Sequence, residues 1–161
     1  MRARRTAPHV SEHGQRLSIR DSAPDAYAAV LGLERMIHSR GLAPSLIHLV
    51  KIRASQLNGC AYCLSMHHHE ARRDGEKQSR LDLLSAWREA PLLYTEQEQA
   101  ALRLTEEMTL IGEHGVSDEV WDAVGDAFSE QDVVTLVMAI VTINVWNRMA
   151  VTTRQPPDLH D

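Results

Sequence analysis

The chain has 161 residues, 43% of them hydrophobic and only 4% aromatic, with a formal net charge of −5 and a pI near 6.0. That length suits one domain with a core of Leu, Val, Ile, Ala and Met. The acidic balance, with no dense Lys/Arg run beyond the first five residues, argues against a nucleic-acid partner. No apolar run of about 18 residues and no signal-type N-terminal segment are found, so the expectation is a soluble, cytoplasmic protein with no membrane span.

Residues 1–15 are polar and lack helical periodicity, which predicts a flexible arm ahead of a single helical domain over residues 16–161. Pro24 sits where a first helical turn begins, and Tyr27, Val30, Leu31, Leu33 and Ile37 form an apolar stripe ending before Gly41. Pro44 opens a second helix through Leu46, Leu49, Val50, Ile52 and Leu57, stopped by Asn58-Gly59. The next helix carries Cys60-Ala61-Tyr62-Cys63 and His67 and runs to about Arg73, before Asp74-Gly75. A weaker helix follows around Ser79 to Trp87, closed by Ala90-Pro91.

Thr95-Glu96-Gln97-Glu98 reads as a capping box, followed by Ala101, Leu104, Met108 and Ile111 along one core-facing stripe. Ser117 caps a short helix with Val120, Trp121, Val124 and Phe128. Ser129 begins the last helix, whose stretch from Val133 to Val141 is almost entirely apolar and must be covered on most sides. With no second strand candidate to pair with it, the chain reads as all-α. Short helices, few aromatics and this apolar last helix also predict self-association.

The chemistry concentrates in Cys60-Ala61-Tyr62-Cys63, which holds both cysteines. Two cysteines in a reducing compartment argue against a structural staple, leaving a catalytic or metal-binding pair. Offsets of 0, 3 and 7 residues place Cys60, Cys63 and His67 on one helix face. Cys60 lies nearer the helix N-terminus, which favours its thiolate; Cys63 has His67 one turn on, which favours Cys63.

The run Leu49-Val50-Lys51-Ile52-Arg53-Ala54-Ser55-Gln56-Leu57-Asn58-Gly59-Cys60-Ala61-Tyr62-Cys63, followed by His67, resembles the signature of the alkylhydroperoxidase D (AhpD)-like branch of the carboxymuconolactone decarboxylase family. Ile143-Asn144-Val145-Trp146-Asn147-Arg148 is similar to a recurrent last-helix motif of peroxidase-related members, and the resemblance extends from about Leu17 to Pro157. It implies an AhpD-like helical bundle of about six to seven helices that assembles into homotrimers or homohexamers. It further implies a thiol-dependent peroxidase that reduces hydroperoxides through a Cys60/Cys63 dithiol–disulfide cycle, served by a dithiol or protein-disulfide reductant, with no cofactor and no metal. Carried over by position, Cys63 is the peroxidatic thiol, Cys60 the resolving thiol and His67 part of the proton relay. True decarboxylases of the family lack the paired cysteines, so the CxxC argues for the thiol-redox branch.

One position departs from the pattern: the family commonly has a glutamate twelve residues before the first cysteine, where this chain has His48. An imidazole accepts a proton or stabilises a thiolate by charge, so His48 is expected to work with His67 in deprotonating Cys63. The competing readings are a zinc site drawn from Cys60, Cys63, His67 and either His48 or His69, a non-enzymatic redox sensor or metal-binding assembly protein on the same scaffold, and decarboxylation of a lactone acid. His68 and His69 are expected to face solvent, and Trp146, Asn147 and Arg148 to be structural.

Overall fold

The computed structural model describes residues 14–159, so nearly all of the expected N-terminal arm lies outside the described residues. Among those residues the chain is all-α: α1 (Ile19–Ser22), α2 (Pro24–Ser39), α3 (Pro44–Asn58), α4 (Ala61–Arg73), α5 (Gln78–Leu83), two 3₁₀ segments (Leu84–Glu89 and Pro91–Leu93), α6 (Glu96–Thr109), α7 (Asp118–Ala127) and α8 (Glu130–Thr153). The sequence predicts six to seven helices; the eighth is the short α1, capped by the Ser18 side chain accepting from the Asp21 N–H. A single turn of this kind buries nothing, and so leaves no periodic pattern to read.

The helix ends fall where local chemistry puts them. Pro24 and Pro44 occupy first-turn positions of α2 and α3, and Gly59 ends α3 in the left-handed region at φ 64. The capping box is formed reciprocally, with Glu98 N–H donating to Thr95 Oγ1 at 3.1 Å and Thr95 N–H to Glu98 Oε2 at 2.8 Å. Ser117 and Ser129 cap α7 and α8. The weak helix expected around Ser79 to Trp87 is α5 continuing as a 3₁₀ segment, bent where Ala86 leaves helical geometry.

α3 is the central element, packed against α4, α6 and α8, with Leu46, Ile47, Leu49, Val50, Ile52 and Ala54 all buried. Each fully buried Leu or Ile contributes about 1.5–3 kcal/mol of transfer free energy. α8 is long and apolar enough by length and composition to cross a membrane, yet 56% of its most apolar window is buried inside the fold. It is a core helix, with Leu136, Ala139, Ile140 and Ile143 inaccessible.

Two stripes differ from the sequence reading. On α2 only Ile37 is buried, because the face carrying Tyr27, Leu31, Glu34 and His38 walls a cavity and does not enter the core. On α6 the core stripe stops at Thr109; Ile111 lies beyond the helix and is 62% exposed.

Candidate active site

Because Gly59 turns the chain without a Cβ penalty, Cys60 becomes the N-cap of α4, with its N–H held by Ser55 O at 3.0 Å. Its Sγ accepts the Cys63 N–H at 3.3 Å, one of the free donors at the start of a helix. Cys60 and Cys63 are joined as a disulfide with their Cα atoms 5.4 Å apart, and each is 1% exposed. The two sulfurs expected to share one volume therefore do so.

The end of α3 is anchored to α8 by a polar cluster. Asn58 Nδ2 donates to Asn144 Oδ1 at 2.9 Å and to Asn147 Oδ1 at 2.8 Å, and the fully buried Asn147 donates through Nδ2 to Ser55 Oγ at 3.0 Å. These bonds fix the last turn of α3, which leads into Cys60. Asn147 thus has the structural place expected of it. Trp146 bonds Glu34 and forms a cavity wall, and Arg148 bonds back to Asn144 of its own helix.

Cys63 and His67 line a common cavity of about 420 Å³ between α2, α4 and α8; Cys60 is not among its lining residues. The apolar wall includes Leu31, Met66, Met149 and the edge-to-face pair Tyr27 and Trp146, whose rings lie 5.0 Å apart. Glu34 is the polar hub: Oε1 accepts from Trp146 Nε1 at 2.9 Å and Oε2 from the buried Lys51 ammonium at 2.6 Å. That pairing is what allows a lysine 4% exposed to remain in the wall. Tyr62 also faces the cavity, and burial, with Tyr27 beside it, pushes its hydroxyl pKa up, which keeps it a proton-bearing donor.

His67 is 3% exposed. Its Nδ1 lies 3.0 Å from Glu70 Oε2, while Nε2 is buried with no hydrogen-bond partner among the described residues. Burial lowers the imidazole pKa, more than the Glu70 hydrogen bond raises it, so the neutral ring is the resting form. A carboxylate only accepts, so the proton of that ring sits on Nδ1 and the Nε2 lone pair is free. Glu70 in turn has its pKa lowered, first by the hydrogen bond to His67.

His48 does not line the cavity: its Nε2 lies 2.9 Å from Asp74 Oδ2, and its Nδ1 is buried without a partner among the described residues. It lies close to His67, since His48, His67 and Glu70 each present a ligand-type atom within 4.8 Å of the others. His68 and His69 are each partly exposed to solvent and partly buried. Glu70, Glu34 and Lys51 are the site residues that the sequence reading passed over. The three-residue spacing from His67 to Glu70 is a signal available from sequence, because such pairs meet on a helix surface; Glu34 and Lys51 meet only through the packing of α2 on α3.

A family model described as the carboxymuconolactone decarboxylase family matches residues 24–107. The uncharacterized protein YdfG of Bacillus subtilis (strain 168) is 38% identical over 137 residues, covering 85% of this chain and 92% of its own. A crystal structure from Agrobacterium tumefaciens, of a protein of unknown function suggested to be the antioxidant defence protein AhpD, is 40% identical with a TM-score of 0.87, covering 91% of this chain and 99% of its own. The debrominase Bmp8 shares the fold at 21% identity and a TM-score of 0.75, over 86% of this chain and 74% of its own. The chain belongs to the carboxymuconolactone decarboxylase family and is AhpD-like, with Cys60 and Cys63 forming its CxxC pair.

Proposed function

We propose that the protein is a thiol-dependent peroxidase that reduces hydroperoxides through a Cys60/Cys63 dithiol–disulfide cycle. The observation that carries this reading is the shared cavity: Cys63, already bonded to Cys60, and His67, with a free Nε2, line the same 420 Å³ space. Similarity to the Agrobacterium protein suggested to act in antioxidant defence supports the same reaction class.

In the reduced enzyme His67 Nε2 takes the proton of the Cys63 thiol. The thiolate attacks the terminal oxygen of the hydroperoxide, the O–O bond breaks, and the leaving alkoxide recovers the proton from the imidazolium, giving an alcohol and Cys63 sulfenic acid. The Cys60 thiol then displaces water from that sulfenic acid, closing the disulfide across the first turn of α4. A dithiol reductant returns both cysteines to thiols and becomes a disulfide itself. Glu70 orients His67 and stabilises its charged form; His48 lies near this pair but does not line the cavity. The Cys60 Sγ, accepting a helix N-terminal N–H, is favoured as thiolate in the resolving step. The cycle requires a reducing compartment, in keeping with a cytoplasmic protein.

Assembly belongs to the same proposal. Val134 and Val141 of α8, two turns apart on one face, are 48% and 40% exposed, an apolar edge that a second copy in a homotrimer or homohexamer would cover. Sedimentation at micromolar concentration tests it, and a stable monomer contradicts it.

The deciding experiment is hydroperoxide consumption with and without an excess of dithiol. With dithiol wild type is expected to turn over; without dithiol Cys60→Ser is expected to react once and hold a sulfenic acid on Cys63, and Cys63→Ser to consume none in either condition. Turnover that survives in Cys63→Ser removes the proposal, and a trapped sulfenic acid in Cys63→Ser reverses the two roles.

A further inference from the structure

His48 of α3 and His67 of α4 share an arrangement that the peroxidase cycle uses only at His67. Each ring has one nitrogen held by a carboxylate, His48 Nε2 by Asp74 at 2.9 Å and His67 Nδ1 by Glu70 at 3.0 Å, and each has its other nitrogen buried without a partner. The two residues are 7% and 3% exposed. An imidazole nitrogen buried without a hydrogen bond costs about 1–3 kcal/mol, and here two histidines that each carry one bring a ring atom within 4.8 Å of the other and of Glu70. The Asp74 carboxylate behind His48 is also the arrangement that fixes the tautomer and raises the basicity of a metal-binding histidine.

We infer that His48, His67 and Glu70 form a binding site for a divalent cation of the zinc class, distinct from the CxxC pair, and that an ion bound there takes the His67 lone pair away from Cys63. The three ligand-type atoms lie within 4.8 Å of one another. A tetrahedral ion with bonds of about 2.1 Å draws its donors to roughly 3.4 Å apart. Glu70, whose side chain is 35% exposed, has the freedom to supply that movement. Two imidazoles and one carboxylate are nitrogen and oxygen donors of intermediate softness, which select zinc, cobalt or copper over magnesium or calcium. Asp74, anchoring His48 from outside the ligand set, offsets part of the ionic charge. Lys51, the cation acting on His67, is already paired with Glu34 at 2.6 Å. His67 and Glu70 line the cavity, so a fourth coordination position opens toward it.

The inhibitory half of this inference rests on the peroxidase reading; the binding half does not. The test therefore begins with chelator-treated Cys60→Ser/Cys63→Ser protein titrated with cobalt(II) and zinc. One equivalent per chain is expected, with the visible ligand-field bands of a low-coordinate nitrogen and oxygen site. His48→Ala is expected to weaken binding by roughly a hundredfold, and Asp74→Asn, which removes only the supporting carboxylate, by about tenfold. Absence of stoichiometric binding, or equal affinity in His48→Ala, overturns the site. In wild type, one equivalent of zinc is expected to suppress hydroperoxide turnover and a chelator to restore it. Zinc that binds without slowing turnover overturns the link to His67, whereas a wild type with no turnover at all sinks the peroxidase reading and leaves the titration to stand alone.

Discussion

Glu70 Oε2 lies 3.0 Å from His67 Nδ1, three residues earlier on the same helix. The contact decides which nitrogen carries the proton of the neutral ring, and so leaves the Nε2 lone pair free, the nitrogen that the proposed cycle uses as base toward Cys63. Glu70→Gln keeps a hydrogen-bond acceptor in place and removes the charge that stabilises the imidazolium. The expected result is a fall of about tenfold or more in the rate of Cys63 oxidation by hydroperoxide, with little change in the unfolding midpoint. Glu70→Ala is expected to be slower still and Glu70→Asp to recover part of the loss. Stopped-flow thiol oxidation on chelator-treated protein measures all three, and equal rates across the set remove Glu70 from the relay.

Gly59 prepares the position of Cys60. At φ 64 it occupies a conformation that costs other residues roughly 1–2 kcal/mol, while a Cβ added there meets nothing within 4 Å. Gly59→Ala therefore isolates backbone strain from steric clash. It is expected to destabilise the protein by about 1 kcal/mol, and Gly59→Asn by less, because asparagine tolerates the left-handed region. Urea unfolding of both variants checks the order; an alanine variant as stable as wild type shows that the turn relaxes.

The helix framework was legible in the sequence because its punctuation is local. Pro44 starts α3, Gly59 stops it, Thr95 and Glu98 close their own box, and Ser117 and Ser129 each cap a helix within three residues of themselves. The CxxC-to-His67 spacing was legible for the same reason. The acid and base partners were not. Glu34 reaches Lys51 and Trp146 across two helix junctions, and His48 finds Asp74 26 residues away, so these pairs exist only once α2, α4 and α8 have packed around α3. The α2 stripe from Tyr27 to Ile37 shows the limit of periodicity: it correctly marks an inward face, but hydrophobicity does not say whether that face meets core or cavity.

Asn147 tests how far the site depends on its polar scaffold. It is fully buried on α8, accepts from Asn58 Nδ2 at 2.8 Å and donates to Ser55 Oγ at 3.0 Å, so it holds the last turn of α3, from which the chain passes into Cys60. Asn147→Leu leaves those groups without their partner, at a cost of about 2–3 kcal/mol. The disulfide's ease of reduction is expected to change as well, since the α3 end that positions Cys60 loses its anchor. Thermal unfolding and a dithiol redox titration report the two effects; a stability loss with an unmoved redox midpoint shows that the cluster stabilises the fold without tuning the thiols.

Glu106 gives the clearest dependence on pH. It is 8% exposed on α6, accepts from Arg53 Nε and Trp87 Nε1, each at 2.8 Å, and pairs with Arg88. Burial raises its carboxyl pKa, but the hydrogen bonds from Trp87, Arg88 and Arg53 outweigh burial and hold it below the ordinary value of 4.5. A carboxylate with a depressed folded-state pKa adds stability that is fully present above its unfolded pKa and disappears as pH falls through the lower, folded value. Removing the charge with Glu106→Gln leaves the largely buried Arg53 guanidinium without its counter-ion, Arg88 being 56% exposed, and is expected to cost about 1.5–3 kcal/mol at neutral pH. Urea unfolding of wild type and Glu106→Gln at successive pH values should then give a difference that is constant above pH 4.5 and narrows below it. A difference that stays the same throughout the acid range shows that the glutamate's charge is not what joins α3, α6 and the Leu84–Glu89 segment.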